Sequence, residues 1–337
     1  MSFIANEKLR SQIVANSSKK QKQTAWNGII IDNKDGLVTN AAGALHYDDY
    51  TELTSDIVAV RQFDFVGNFY RTLTSGPGMS RTVPLGKTLI DYQDMNEFGA
   101  AEVSMDMANR QNEQTNYDRV VVPLPIYHKD YTIPWRQSGF SYKESDGVTE
   151  MGIQTMRTRD KTLMLGDSSI VVAGNELYGY TNHPATIKLP GGISDWGNKA
   201  NSAVVYDEMV ELISQLFLDA NVGAPNSVEA FVSPDVFAAM QYKSSATKSN
   251  DLTIMQDIIN IAQLRGIQAQ EDLPAGAVLL VEMSPRTSDI AVASDLIAMP
   301  WQRTNEYEDL RFTIMSACTA RIKRDRNLKT GILYATK

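Results

Sequence analysis

The residues best equipped for chemistry in this chain are few, and their spacing argues against most uses. Three histidines, His46, His128 and His183, stand far apart, none with a second ligand at helical or turn spacing, so no metal site is assigned. Cys318 is the single cysteine, which excludes an internal disulfide and a CxxC metal knuckle. It lies in the apolar, strand-like run Met315-Ser316-Ala317-Cys318, the setting of a buried and inert thiol. Asp32-Asn33-Lys34-Asp35-Gly36 hints at a calcium loop. Placing Gly36 at the sixth position, however, puts Ile31 first and Ala42 twelfth, where acids are required. Gly76-Pro77-Gly78 is followed by no GKS or GKT and is no phosphate cradle. Gly166-Asp167-Ser168-Ser169 lacks the second glycine of a nucleophile elbow. Trp135-Arg136 could stack on a base, but reads better as a sheet end with its indole partly covered. The carboxylates are numerous and diffuse, with no acid and base pair among them. No catalytic, cofactor-binding or metal residue is assigned, and the expectation is a protein that is not an enzyme.

Composition narrows the field further. The 337 residues carry 40 acidic and 32 basic side chains, a net charge of −8, which disfavours a dedicated nucleic-acid reader but not a container for nucleic acid. With 43% hydrophobic and 21% charged residues the chain is ordinary globular material, sized for two domains or one with large excursions. No apolar run approaches the roughly 20 residues of a membrane span. The opening MSFIANEKLR lacks the layout of a secretory signal, so folding in a reducing interior is expected.

The elements that would position these residues read as follows. Residues 76–135 are a long polar hairpin with little to bury, broken by turn chemistry at Gly76-Pro77-Gly78, Pro84, Gly86 and Asn96 to Gly99. Such a stretch is an arm that finds its partners on another chain. The leader over 1–60 is weakly patterned, yet Ile29-Ile30-Ile31 and Leu37-Val38 need a surface to cover them. A helix is expected over 146–166, with acids early and Arg157, Arg159 and Lys161 late, complementing the helix dipole. Val205, Met209, Leu212, Ile213, Leu216 and Ala220 make one helical face over 205–220. There follow a strand at 229–232, a helix opened by Ser233 as N-cap and Pro234, an amphipathic segment over 252–264, a strand at 267–269 and a buried strand at 277–281. This alternation marks an α/β unit. Strands at 290–292, 296–299, 310–317, 321–323 and 331–334 are expected to join residues 120–134 in a second, sheet-rich unit.

Taken in order, these segments resemble the major capsid proteins of tailed phages, those with the Hong Kong 97-type fold, in the branch that shares features with bacterial encapsulins. The resemblance rests on the extended leader and on the hairpin with Val83-Pro84-Leu85 opposite Phe98-Gly99-Ala100-Ala101-Glu102-Val103. It rests also on the return through Val120 to Ile126 and Tyr131 to Pro134, and on the long helix followed by Gly179-Tyr180-Thr181-Asn182-His183-Pro184. Phe231 to Phe237 and the strand-rich ending complete it. It implies an α+β capsid fold with an N-terminal arm over 1–61 and an E-loop hairpin over 62–122. A peripheral (P) domain would occupy 123–202 and 286–337, with the spine helix about 146–166, and an inserted axial (A) domain 203–285. It implies a structural role in which many copies, as pentamers and hexamers, form an icosahedral shell around double-stranded DNA. DNA would be enclosed without sequence-specific binding, and neither cofactor nor membrane is implied. Separate scaffold, portal or decoration proteins are the expected partners, and the virion, assembled in the host cytoplasm, the expected location. With no long helical leader, any scaffold would be a separate chain. Arg81, Lys87, Asp91, Glu102, Arg110 and Arg119 are the candidate intersubunit contacts. Some members of the family cross-link a Lys to a neighbour's Asn with a Glu assisting. Lys87 sits near the lysine position, but no Asn and Glu can be matched. The rival readings are an encapsulin-type shell protein, an α/β enzyme whose active site escapes recognition, and another virion part such as a tail-tube protein.

Overall fold

The computed structural model describes residues 29–32, 36–39, 66–95, 117–137, 141–189, 191–198, 201, 204–220, 222, 224–242, 253–261, 263–305, 307–324 and 330–337. The chain divides into two units, Met1–Phe63 and Asp64–Lys337. In the first, β1 (Ile29–Asp32) and β2 (Gly36–Thr39) pair antiparallel, Ile29 opposite Thr39 and Asp32 opposite Gly36. The apolar runs expected to need cover are thus strands of one hairpin.

The second unit is α+β. Its elements are α1 (Asn68–Thr74), β3 (Ser80–Thr82), β4 (Leu89–Met95), β5 (Tyr117–Pro123), β6 (Ile126–Ile133), α2 (Ser141–Leu165), β7 (Asp167–Val172), β8 (Asn175–Leu177) and β9 (Ile187–Lys188). There follow α3 (Val205–Ala220), β10 (Val228–Val232), α4 (Pro234–Ala239), α5 (Ile254–Ile259), β11 (Leu264–Ala269), β12 (Val278–Glu282), β13 (Ser288–Pro300), β14 (Leu310–Ile322) and β15 (Ile332–Ala335).

Five strands form one sheet in the order β11-β10-β12-β15-β9, parallel at β10–β11 and β15–β9 and antiparallel elsewhere. Both faces are covered, which is why Val278–Val281 reads as an unbroken apolar run and every residue of Val228–Val232 is buried, Glu229 included. Val228, Ala230, Val232, Val278 and Leu280 face a core with Met209, Leu212 and Leu216 of α3 and Ile254 and Ile258 of α5. Phe231, Leu279 and Val281 point the other way, to a second core with Phe69, Leu73, Leu163, Tyr180, Ile290 and Cys318. The α3 face is the one its periodicity predicts: Val205, Met209, Leu212, Ile213 and Leu216 are buried.

Four strands form the other sheet, β3-β13-β14-β6. The two short runs expected at 290–292 and 296–299 are a single 13-residue strand whose register shifts between Val292 and Ser294 and again between Ser294 and Ile297. Helix α2 lies on one face, and Gly147 lets Tyr131 approach to within 2.2 Å of where a Cβ would stand.

Several expectations need correction. The strand at 331–334 does not join the four-stranded sheet: β15 pairs antiparallel with β12 and parallel with β9, filling the five-stranded sheet. The segment 252–264 is no single helix. Thr253 closes a capping box with Gln256, the helix stops at Ile259, and Leu264 already begins β11. Ser233 stands at the N-cap of α4 but does not cap it; its hydroxyl accepts from the Gly276 amide, 3.1 Å away, and fastens the β12 turn. The stretch after 76 is not free of core either, since Met79, Ile90, Leu124 and Ile133 are buried. Arg159 is no solvated charge balancing a dipole: it is 3% exposed and lies over the Tyr70 ring.

The run 179–186 ends α2. Orphan carbonyls of its last turn are taken by Tyr180 N–H (to Leu163, 3.0 Å) and by Thr181 N–H and Oγ1 (to Met164, 2.9 and 3.0 Å). Asn182 Oδ1 accepts from Gly179 N–H at 2.7 Å. Gly166 sits at φ +74°, where a Cβ would stand 2.6 Å from the Gly179 nitrogen.

Candidate assembly surfaces

The polar hairpin is rooted in the body. β4 and β5 pair antiparallel from Leu89↔Pro123 to Met95↔Tyr117, and residues 96–116 lie outside the described residues. At the root, Ile90 and Leu124 pack on Ala291 of β13, and Tyr92 donates to the Ile322 carbonyl at 2.8 Å. The strand face beneath the root holds a buried ion pair. Arg321 Nε donates to Asp289 Oδ1 at 2.6 Å, its Nη2 bonds Oδ2, and Lys323 Nζ stands 2.9 Å from the same carboxylate. Two forked bonds and a second cation satisfy charges that would otherwise be costly to bury.

Of the six candidate contacts, Asp91 and Arg119 are brought together, Nε to Oδ2 at 2.8 Å across the hairpin, both exposed. Arg81, exposed on β3, lines an open cleft with Asp91, Tyr92, Gln93, Arg321 and Lys323. Lys87 is exposed on the turn closed by its amide to the Pro84 carbonyl. Glu102 and Arg110 lie outside the described residues, as does His46.

The remainder of that sheet face carries features that residue-by-residue reading missed. Ile297, Met299 and Trp301 follow each other at every second position of β13 and just beyond it, 39%, 39% and 57% exposed. Leu296-Ile297-Ala298-Met299 reads as an apolar strand, and an uninterrupted apolar run gives no sign that one of its faces is bare. Trp301 Nε1 donates to Thr313 Oγ1 and that hydroxyl donates to Asp130, so the indole is held in place while its ring stays open. Trp135 ends β6 as expected, half exposed, edge-on to the exposed Tyr307 at 5.4 Å and beneath Arg136 at 5.4 Å. A second set, Phe217 and Leu218 on α3 with Tyr242 and Ile259, is exposed on the five-stranded unit. Single exposed apolar residues are commonplace; a row of them on one strand face marks an interaction surface.

The remaining candidates for chemistry stay apart. His128 is exposed on β6. His183 takes the Ala185 amide on Nδ1 at 3.2 Å, and burial, then nearby Arg324, hold its imidazole down to about 4. With Arg324, Tyr178, Glu176, Tyr92 and Val120–Val122 it lines a cavity of about 250 Å³ between the arm root and the β7–β8 turn. Ser169 bonds to Asp167 through its amide and its hydroxyl (2.9 and 2.6 Å). Cys318 is fully buried, its thiol pushed up to about 12 by burial. Among the described residues no group of three or more His, Cys, Asp or Glu could hold a metal ion.

Residues 40–335 match a family described as a family of unknown function, DUF6260. The chain belongs to DUF6260. No curated protein matches this DUF6260 chain by sequence. Solved structures match it by fold. The capsid of Myoviridae phage XM1 aligns with a TM-score of 0.59 at 12% identity, over 88% of this chain and 99% of that one. A structure from Mycobacterium phage Bobi aligns at 0.56 and 13% identity, over 87% and 99%. The capsid of an empty GTA particle aligns at 0.56 and 13% identity, over 82% and 99%. This DUF6260 chain therefore has the Hong Kong 97-type capsid fold, an α+β fold, as its segment order led us to expect.

Proposed function

We propose that this DUF6260 protein is the major capsid protein of a tailed phage, many copies of which close an icosahedral shell around double-stranded DNA. The observation that supports this most is the extent of the likeness: capsid chains align over 99% of their own length and over 82–88% of this one. An enzyme that had borrowed one capsid-like domain would leave more of the capsid chains unmatched.

In this reading residues 1–61 are the N-terminal arm and 62–122 the E-loop. Residues 123–202 and 286–337 make the P domain, and 203–285 the A domain, whose sheet borrows β9 and β15 from the flanking chain. Pentamers and hexamers form around the A domains, and the arms lie over adjacent copies. Arg81, Lys87, Glu102 and Arg110 contact neighbours, and Asp91 and Arg119 do so as the pair they already form. One arm contact can be weak, because closure multiplies it over the shell. The shell is assembled in the host cytoplasm, with any scaffold, portal or decoration protein as a separate chain, and becomes part of the virion.

The test is expression of the full chain, alone and with its neighbouring genes, followed by sedimentation and electron microscopy. Closed megadalton shells that package DNA are the expected outcome. Shells filled with a cargo protein would move the reading to an encapsulin-type compartment, and a small soluble oligomer would end it.

A further inference from the structure

Where α1 meets α2, a carboxylate is shut away from water without a hydrogen bond. Asp160 is 2% exposed, and neither of its oxygens finds a donor among the described residues. Arg159 stands beside it, Nε 3.6 Å from Oδ1, but its guanidinium is spread over the Tyr70 ring, 3.7 Å from the centroid. Tyr70 in turn donates to Asp295 at 3.1 Å. The amides of Phe69 and Tyr70 open α1, where Gly67 offers no side-chain cap. They lie near enough to favour a charged Asp160 without closing a hydrogen bond to it.

The groups facing this carboxyl come from every element around it. They are Arg159 from its own helix, Phe69 and Tyr70 from α1, Tyr127 from β6, Cys318 from β14 and Asp272 from the turn after β11, with Asp295 of β13 one step further off, against Tyr70 and Cys318. Tyr127 and Cys318 are driven toward their neutral forms by burial. Glu271 is already engaged by Arg157 at 2.5 Å. One guanidinium shared with an aromatic ring is thus the only cation in contact with Asp160 among the described residues.

We propose that Asp160 is a proton-operated latch on α1: protonated, it leaves the helix seated, and ionised, it favours an opening that lets the carboxylate reach water. Burial raises this carboxyl from its ordinary 3.8 to about 6, against the pull of Arg159. The seated form therefore binds the proton more tightly than the open one. Its advantage is full below about 4 and is lost as pH rises through about 6. Helix α1 leads into β3, which pairs with β13 beside the hairpin's root, so what the latch frees is α1 and the chain that runs on to β3.

Hydrogen exchange of the full chain, in one assembly state at pH 5 and pH 7 and corrected for intrinsic rates, tests this on peptides covering residues 68–74. Opening of α1 is expected to be about tenfold more frequent at pH 7. Asp160→Asn, which keeps the volume and removes the charge, should stay protected at both pH values. Asp272→Asn should keep the wild-type pH dependence. A wild-type α1 whose protection does not change with pH overturns the proposal even if the Asp160 variant fails to fold. So does an Asp160→Asn chain that keeps the dependence, or an Asp272→Asn chain that loses it.

Discussion

Asp289 and Arg321 face each other across β13 and β14, under the root of the arm. Asp289→Asn removes one charge and leaves the Arg321 guanidinium buried without a counter-ion. Denaturant unfolding should show a loss of about 3–5 kcal/mol, whereas replacing both residues by apolar ones of similar size should cost far less. Cys318 makes a second residue-scale prediction. A thiol pushed up to about 12 in a fully buried strand should resist alkylation in the native protein at pH 8 and react only after unfolding, which thiol titration would read directly. Cys318 was legible because its neighbours in sequence are apolar, and burial follows from them. Arg159 and Asp160 were not: charge pattern along a helix cannot tell a residue facing water from one facing an aromatic ring supplied by a segment ninety residues earlier. The Asp289–Arg321 pair was hidden for the same reason, each half lying in an unremarkable strand.

The elements were legible in proportion to how local their causes are. Helix α3 follows from six apolar residues on one face and is found where its periodicity puts it. Strand β12 follows from the unbroken apolar run Val278–Val281 and β10 from the shorter Ala230-Phe231-Val232, because both their faces are covered. By contrast β15 looks like any other C-terminal strand; nothing in Ile332-Leu333-Tyr334-Ala335 says which sheet has a vacancy. Its place predicts that deleting residues 332–337 would expose the edges of β12 and β9 and empty Leu333 and Ala335 from the core, abolishing cooperative unfolding of the five-stranded unit. At the end of α2, Gly166→Ala would force a left-handed residue to carry a Cβ against the Gly179 nitrogen. A loss of at least about 2 kcal/mol is expected by thermal or denaturant unfolding. The run Gly179 to Pro184, singled out as a family mark, thus has a physical job in its first half: Tyr180 and Thr181 take the last carbonyls of α2, and Asn182 braces Gly179 beside them.

For the whole molecule, the body and the surfaces that the proposed shell would use are separable. Replacing Met299 and Trp301 by Ser should leave circular dichroism and unfolding midpoint nearly unchanged, because both side chains are exposed, yet reduce shell yield severely in sedimentation. An unchanged yield would remove the bare sheet face from the list of contacts. The position of β15 has one more consequence, in time. It is made about fifty residues after β12, so during synthesis the five-stranded sheet has an open slot until residues 332–335 have been added. A nascent chain short of residue 332 therefore still lacks a strand of its own fold and is not yet the body that a neighbouring copy would meet.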